Sequence, residues 1–203
     1  DIIERDIIAR YEIRDSFAFY QIAMHLVNNI ARPYTLRKLA RSYGIGSVNT
    51  VSSYVKYLEN AYLFFTVNKF DYSFKKQQVN EKKIYAIDTG FVLANSIKIQ
   101  DDHGRLFENM IFLYLRQNFE NVYYFKDKGE CDFIVTEKAK IKGCYQVCLE
   151  LDRHNKEREI NGVKEAMEKL VCKKGYIVTM NQDDTIKFKG GSIKIISADK
   201  MMT

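Results

Sequence analysis

The sequence has little of the residues that form long flexible connections. Its 203 residues contain one proline, Pro33, ten glycines and no tryptophan. Because flexible and semi-rigid linkers are rich in glycine or proline, long linkers between domains are excluded. Hydrophobic residues make up 46% and aromatic residues 13% of the chain, which excludes an intrinsically disordered protein. A chain of this length holds one large domain or two small ones.

Other absences exclude whole classes of site. There is no G-x-x-x-x-G-K-[ST] phosphate loop, so the chain by itself has no ATP site. The first residues are charged, and no apolar run reaches about 18 residues. We therefore expect a cytoplasmic protein without a signal peptide or a membrane partner. The chain begins at Asp1 without an initiator methionine, which indicates a piece of a longer protein.

The cysteines are not spaced for a metal or a disulfide framework. None of the four forms a C-x-x-C pair, and all lie in apolar surroundings; they are Cys131, Cys144, Cys148 and Cys172. We therefore expect reduced core cysteines. The net charge of +6 is compatible with nucleic-acid binding but does not require it.

The first 83 residues predict a helical module. Helices are expected over residues 1–14 and 15–30, followed by two short helices, 36–43 and Val48–Asn60, joined by a turn at Gly44-Ile45-Gly46. Thr35 and Ser47 are the expected N-caps of this pair. A strand at 62–67, a basic loop at 71–83 and a returning strand would complete a winged helix, with Val48–Asn60 as its recognition helix.

Polar residues on this module are candidates for contacts with double-stranded DNA. The recognition helix and the basic loop offer Asn49, Thr50, Ser53, Lys56, Lys75 and Lys76. Only Lys56 on the exposed helix face is basic, whereas DNA-reading helices usually present several arginines or lysines. A protein partner therefore remains open beside DNA.

From residue 84 onward, strands and helices alternate, which predicts a second, α/β domain over 84–203 with a central mixed sheet. Strands are expected at 84–87, 122–125, 132–136, 145–151 and 175–180, with a closing hairpin through Gly190-Gly191. A long, nearly all-apolar helix is expected over 104–119 and an amphipathic one from Asn155 or Asp152 to Leu170.

Three residues of this domain form a candidate catalytic set. Glu108 interrupts the nearly all-apolar helix, where a carboxylate is costly to bury unpaired. Asp132 opens an apolar strand, and Gln146 lies on the next strand. Metal-dependent phosphodiester cleavage needs two carboxylates that hold Mg²⁺. It also needs a lysine, two residues after the acid on the neighbouring strand, that stabilises charge on the phosphate.

These motifs resemble the C-terminal region of prokaryotic AAA-type ATPases. The resemblance rests on residues 84–90 (Ile-Tyr-Ala-Ile-Asp-Thr-Gly), 104–109 (Gly-Arg-Leu-Phe-Glu-Asn) and 126–133 (Lys-Asp-Lys-Gly-Glu-Cys-Asp-Phe), with the helix-turn-helix at 35–60. It implies an ATPase domain N-terminal to this chain, which would bind ATP and be its partner. It also implies a winged helix and a restriction-endonuclease-like, PD-(D/E)xK domain in this chain.

The sequence departs from the nuclease pattern at Gln146-Val147-Cys148, where well-preserved members of the family have Glu-x-Lys. Gln146 brings no charge to Mg²⁺, and Cys148 supplies no cation. A displaced cation could come from Lys126, Lys128 or Lys142, and Glu150 is expected on the same strand face. Otherwise, Asp132 and Glu108 are structural, satisfied by backbone N–H groups or by Arg105.

The sequence therefore favours an accessory region of an AAA-type ATPase that binds DNA or protein, with a vestigial site at Glu108, Asp132 and Gln146. Asp132 and Glu108 would hold a metal weakly, if at all, and no other cofactor is expected in this chain. The alternatives are an Mg²⁺-dependent nuclease with a displaced lysine and a winged-helix transcriptional regulator.

The missing phosphate loop leads to a first prediction. Isothermal titration of this chain with ATP and Mg²⁺ should give no tight binding, because no backbone cradle for phosphates is present. The full-length protein is the control and should bind ATP through its upstream domain. Tight binding by this chain alone, or none by the full-length protein, would contradict the interpretation.

Overall fold

The computed structural model describes residues 2–96, 102–189 and 191–203 and shows a mixed α/β protein. In chain order the helices are α1 (Ser16–Asn28), α2 (Leu36–Ser42), α3 (Val48–Asn60), α4 (Phe74–Val79), α5 (Thr89–Asn95), α6 (His103–Asn118), α7 (Lys156–Lys169) and α8 (Ala198–Met202), preceded by a π-helical segment, Ile2–Ile8. The strands are β1 (Pro33–Tyr34), β2 (Phe64–Asn68), β3 (Lys82–Ala86), β4 (Asn121–Lys126), β5 (Glu130–Glu137), β6 (Lys140–Val147), β7 (Gly175–Thr179), β8 (Asp184–Phe188) and β9 (Gly191–Ser197). No helix within these ranges has both the length and the apolar character needed to cross a membrane.

The chain forms two compact units, which divide it differently from the expected boundary at residues 83 and 84. Unit 1 contains residues 1–67 and 80–105, and unit 2 contains 68–79 and 106–203. Strand pairing explains the difference. β3 pairs with β1 and so belongs to unit 1, whereas the Phe70 N–H donates to the Tyr124 carbonyl of β4, at 2.7 Å.

Unit 1 begins with helices whose starts follow the sequence. The Asp15 carboxylate caps α1 by accepting from the Ala18 N–H, at 2.9 Å, and Thr35 caps α2 by accepting from the Lys38 N–H, at 3.1 Å. Gly44, with φ of +64°, ends α2 in a conformation that suits glycine. Ser47 precedes α3 without a capping side-chain bond. The small sheet of this unit has the order β1-β3-β2.

Two predicted features of the N-terminal half are different in the structure. Residues 2–8 form a π-helical segment where a longer helix is expected, and Asp1 lies outside the described residues. The expected basic loop at 71–83 contains helix α4. Asp71 explains the helix: its carboxylate accepts from the Ser73 N–H, at 2.8 Å, and its carbonyl accepts from the Gln77 side chain, at 2.6 Å.

Unit 2 is built on a mixed sheet of the order β4-β5-β6-β7-β9-β8. The pairs β4–β5, β5–β6 and β8–β9 are antiparallel, whereas β6–β7 and β7–β9 are parallel. The parallel β6–β7 step is made by helix α7, which crosses one face of the sheet. The buried face of α7 joins a core that includes Ile134, Cys144 and Ile177.

The ends of several elements in unit 2 differ from the expected ones. β6 ends at Val147 rather than 151, so Glu150 lies after the strand and is exposed. β9 pairs with β7 in addition to forming the expected hairpin with β8. A short helix, α8, follows β9 and was not predicted. Gly190, expected in that hairpin's turn, lies outside the described residues. All four cysteines are free thiols.

Helix α7 approaches the sheet closely because it carries a glycine at the contact. A Cβ atom on Gly162 would overlap the Glu130 carbonyl oxygen of β5. Gly129, just before β5, faces the same contact, since a Cβ there would lie 3.3 Å from the Gly162 Cα. The absence of side chains on both sides lets the helix sit against the backbone of the strand.

This contact predicts the effect of Gly162→Ala. Alanine improves helix propensity by about 1 kcal/mol, but the backbone clash costs about 3 kcal/mol or more. We expect a net loss of about 2 kcal/mol in the free energy of unfolding, measured by urea denaturation. Gly46→Ala is the matched control, since a Cβ there has no neighbour within 4 Å. Equal stability of the two variants would contradict the close contact between α7 and β5 at Gly162.

Candidate functional site

An open cleft of about 1020 Å³ lies in unit 2, between helix α7, which lines it from Arg158 to Lys169, and the strands β5 and β6. Helix α6 contributes Glu108 and the turn between β4 and β5 contributes its backbone and side chains. The charged residues that line the cleft are Glu108, Lys126, Asp127, Lys128, Glu130, Asp132, Arg158, Glu159, Glu165, Glu168 and Lys169. Seven of these are acidic and four are basic, so the lining is net negative.

The structure brings the three residues of the expected catalytic set to this one cleft. Glu108 is half-buried on α6, while Asp132 on β5 and Gln146 on β6 are 6% and 8% exposed. β5 and β6 are antiparallel neighbours with Phe133 opposite Tyr145, so the residues next to this pair come within reach of each other.

Asp132 and Gln146 are bound to each other's strands. The Asp132 Oδ2 atom accepts a hydrogen bond from the Val147 N–H, at 3.0 Å. In return, the Gln146 Oε1 atom accepts from the Asp132 N–H, at 3.2 Å. The expectation that backbone N–H groups satisfy Asp132 is therefore met at one carboxylate oxygen. Arg105, the other expected partner, pairs with Asp102 in unit 1.

Gln146 also joins the sheet to helix α7 through a residue that the sequence reasoning missed. Its Nε2 atom donates to Glu159 Oε2, at 2.6 Å. The other carboxylate oxygen of Glu159 accepts from Arg158, whose Nε lies 3.0 Å away. Glu159 is only 4% exposed, whereas the Arg158 side chain is 78% exposed. The buried carboxylate is thus held between a neutral amide and a solvated cation.

A signal for Glu159 was present in the sequence. The buried residues of α7 are Glu159, Gly162, Val163, Ala166 and Met167. Glu159 lies three and four positions before Gly162 and Val163, and therefore on the apolar stripe of the helix. An acid on such a stripe indicates a buried carboxylate with a partner, and Glu159 is one.

Cys148 does not replace the expected lysine. Burial, followed by the nearby carboxylates of Glu159 and Asp132, raises the pKa of its thiol to about 12, so the group is neutral at pH 7. The hydrogen bond from Arg158 to Glu159 and the charge of that carboxylate raise the pKa of the guanidinium. Arg158 therefore supplies a permanent positive charge beside the carboxylates of Glu159 and Asp132.

The lysines considered as displaced cations have different positions. Lys126 and Lys128 line the cleft, and Lys126 is 3.8 Å from Glu130. Lys142, near the start of β6, is 3.1 Å from Glu137 and is absent from the lining. Within the described residues, no group of three or more histidine, cysteine or acidic side chains is arranged to hold a metal ion.

The candidate DNA contacts fall in both units. On α3, Asn49 and Lys56 are exposed, whereas Thr50 and Ser53 are half-buried. Lys75 and Lys76 are exposed on α4, which belongs to unit 2. Four of the six candidates therefore belong to unit 1 and two to unit 2.

The bond between Gln146 and Glu159 leads to a prediction. Gln146→Glu would place two buried carboxylates about 2.6 Å apart, and we expect a loss of about 2 kcal/mol or more at pH 7. Adding Glu159→Gln restores one amide and one carboxylate, and should recover most of the loss in urea denaturation. Because the paired acids bind protons more readily than they do in the unfolded chain, the deficit of Gln146→Glu should shrink as the pH falls towards 5.

The double variant is the control for general damage by either change. A Gln146→Glu variant as stable as the native protein at pH 7 would contradict the contact. A double variant no better than Gln146→Glu would do the same.

Comparison with known proteins places the chain among relatives that are longer than it is. Uncharacterized protein MJ1544 of Methanocaldococcus jannaschii is 32% identical over 180 residues, which are 83% of this chain and 39% of that protein. An uncharacterized protein of Haemophilus influenzae is 24% identical over 181 residues, 86% of this chain and 45% of its own length. The chain thus spans less than half the length of these curated relatives. No solved structure matches it.

A family described as a domain of unknown function, DUF8612, matches residues 1–102. The matched part includes helices α1 to α5 and ends before the strands that form the cleft. Since the match covers half of the 203 residues, the chain belongs to the DUF8612 family.

Proposed function

We propose that this chain is the C-terminal accessory region of an AAA-type ATPase. In this proposal, unit 1 contains a winged-helix module and unit 2 is a PD-(D/E)xK nuclease-like domain that binds DNA or a protein without cleaving DNA. The residue-level resemblance at 84–90, 104–109 and 126–133 supports it. The curated relatives are more than twice as long as their matched parts, which leaves room in them for an ATPase domain.

The arrangement of elements supports the two modules. In unit 1, α2 and α3 are joined by a short glycine turn and followed by β2 and β3, in the order of a winged helix. In unit 2, α6, three antiparallel strands, α7 and the parallel strand β7 follow one another. That order agrees with the α/β order predicted from the sequence and is compatible with the proposed nuclease-like domain.

The state of Gln146 carries the proposal that the domain does not cleave. Both polar ends of its amide are used inside the protein, by the Asp132 N–H and by Glu159. The position that would provide a carboxylate to Mg²⁺ instead holds a neutral structural group. Losing one preorganised charge from an active site costs on the order of 10²–10³ in rate. Two charges of the nuclease pattern are missing here, one at Gln146 and one at Cys148, which lies outside the cleft lining.

The charge of the cleft supports the same conclusion. Its lining contains seven acidic and four basic residues, a surplus that repels phosphate groups unless a metal ion neutralises it. Lys169 is paired with Asp127 and Glu165, and Arg158 with Glu159. These lining cations are engaged with protein carboxylates rather than held apart for a phosphate.

A second candidate is the Mg²⁺-dependent nuclease with a displaced cation. One observation favours it: the Arg158 guanidinium donates to Glu159 and lies near enough to Asp132 for that carboxylate to help raise the guanidinium pKa. Arg158 could replace the missing lysine, and Glu159 could replace the missing carboxylate. The two candidates make opposite predictions for DNA cleavage.

We expect this chain to leave supercoiled plasmid intact in Mg²⁺ or Mn²⁺. Asp132→Ala should therefore match the native chain at background level. The triple variant Gln146→Glu, Cys148→Lys, Glu159→Gln rebuilds the acid and the lysine without placing two carboxylates together, and any gain in cleavage should require Asp132. Robust cleavage by the native chain that is abolished by both Asp132→Ala and Arg158→Ala would establish the second candidate instead.

A further inference from the structure

A short segment of unit 2, away from the cleft lining, exposes two aromatic and two basic side chains to solvent within five residues. This segment, residues 69–79, is called the aromatic–lysine segment and contains α4. Tyr72 is 79% exposed and Phe74 is 74% exposed. Lys75 and Lys76 follow directly and are also exposed. Exposed apolar groups concentrated in this way indicate a binding surface.

The segment is anchored to unit 2 although α4 buries none of its own residues. Phe70 packs against the core of the unit, with its ring 5.4 Å from that of Tyr123. Lys69 forms a parallel bridge with Tyr124 of β4, the edge strand of the sheet. The ring of Tyr72 meets the ring of Phe70 edge-on at 5.2 Å. The ring of Tyr72 is therefore held in place before any partner binds, which lowers the entropic cost of binding.

The chemistry of the exposed groups matches single-stranded nucleic acid. Aromatic rings stack on unpaired bases, and lysine ammonium groups contact the phosphates between them. Bases in a duplex are already stacked on one another. Exposed aromatic rings therefore find few free base faces to stack on in double-stranded DNA. Lys76 lies 3.9 Å from Asp71 and is 68% exposed, a loose pairing that a phosphate can compete with.

Two other partner classes fit less well. A membrane-binding helix needs one continuous apolar face, but Phe74 and Val79 are five residues apart and point about 140° away from each other around α4. The cores of protein–protein interfaces are depleted of lysine, whereas two lysines here follow Phe74 directly.

We propose that the aromatic–lysine segment is a binding site for single-stranded nucleic acid, with Tyr72 and Phe74 stacking on bases and Lys75 and Lys76 contacting phosphates. The inference rests on the DNA-binding part of the proposed function and deepens it by naming a substrate class, single strands, for a surface that contains two of the candidate DNA contacts, Lys75 and Lys76. It does not depend on whether the cleft cleaves DNA.

The test is fluorescence anisotropy with a labelled oligothymidylate of about 12 nucleotides. The native chain should bind it more tightly than a duplex of the same length. Tyr72→Ala and Phe74→Ala should each weaken binding on the order of 10-fold. Lys75→Gln with Lys76→Gln should reduce the slope of log affinity against log salt by about 1.4, since each single-strand phosphate contact contributes about 0.7.

Tyr62→Ala is the matched control, because Tyr62 is a tyrosine of unit 1 with a similar exposed fraction, 69%. Its affinity should equal that of the native chain, and all variants should keep the native melting temperature because the changed side chains are exposed. Oligonucleotide affinity unchanged in Tyr72→Ala and Phe74→Ala, or no binding at low salt, would overturn the proposal.

A membrane site would give a different result. Binding to vesicles of phosphatidylcholine and phosphatidylserine that requires Tyr72 and Phe74, without oligonucleotide binding, would replace nucleic acid with a lipid surface. Plasmid cleavage, which would refute the proposed function, leaves these outcomes unchanged, so the two proposals fail separately.

Discussion

The close packing of helix α7 against the central sheet is the contact on which the geometry of unit 2 depends. Gly162 lets the helix backbone reach strand β5 at the Glu130 carbonyl. One turn earlier on the helix, the buried Glu159 carboxylate accepts a hydrogen bond from Gln146 of β6, at 2.6 Å. A buried carboxylate is tolerated only with partners, and Gln146 and Arg158 provide them. Packing at the glycine and hydrogen bonding at the carboxylate therefore fix the same helix at two points.

This arrangement makes Gln146 a structural residue as much as a site residue. Its amide connects strand β5, strand β6 and helix α7 through the Asp132 N–H and the Glu159 carboxylate. A glutamate at position 146 could accept from Asp132 but could not donate to Glu159. The neutral amide of Gln146 and the carboxylate of Glu159 therefore depend on each other, and an acid at position 146 would require a change at position 159 as well.

Charge is distributed unevenly between the surfaces of unit 2. The cleft combines a surplus of carboxylates with cations that are engaged in ion pairs. The aromatic–lysine segment has exposed rings beside exposed lysines. The net charge of +6 therefore does not describe the cleft, and a basic chain can have an acidic groove.

The sequence by itself determined the local elements, because helix caps and apolar periodicity act over a few residues. Val48–Asn60 is a helix with the predicted bounds, Thr35 caps α2 as expected, and Glu108, Asp132 and Gln146 line one cleft. The tertiary structure alone decided that β3 belongs to unit 1, that β6 ends at Val147, and that Gln146 is the partner of the acid on the apolar stripe of α7. These features depend on strand pairing and on the depth at which α7 packs, both of which are set by residues distant in the chain.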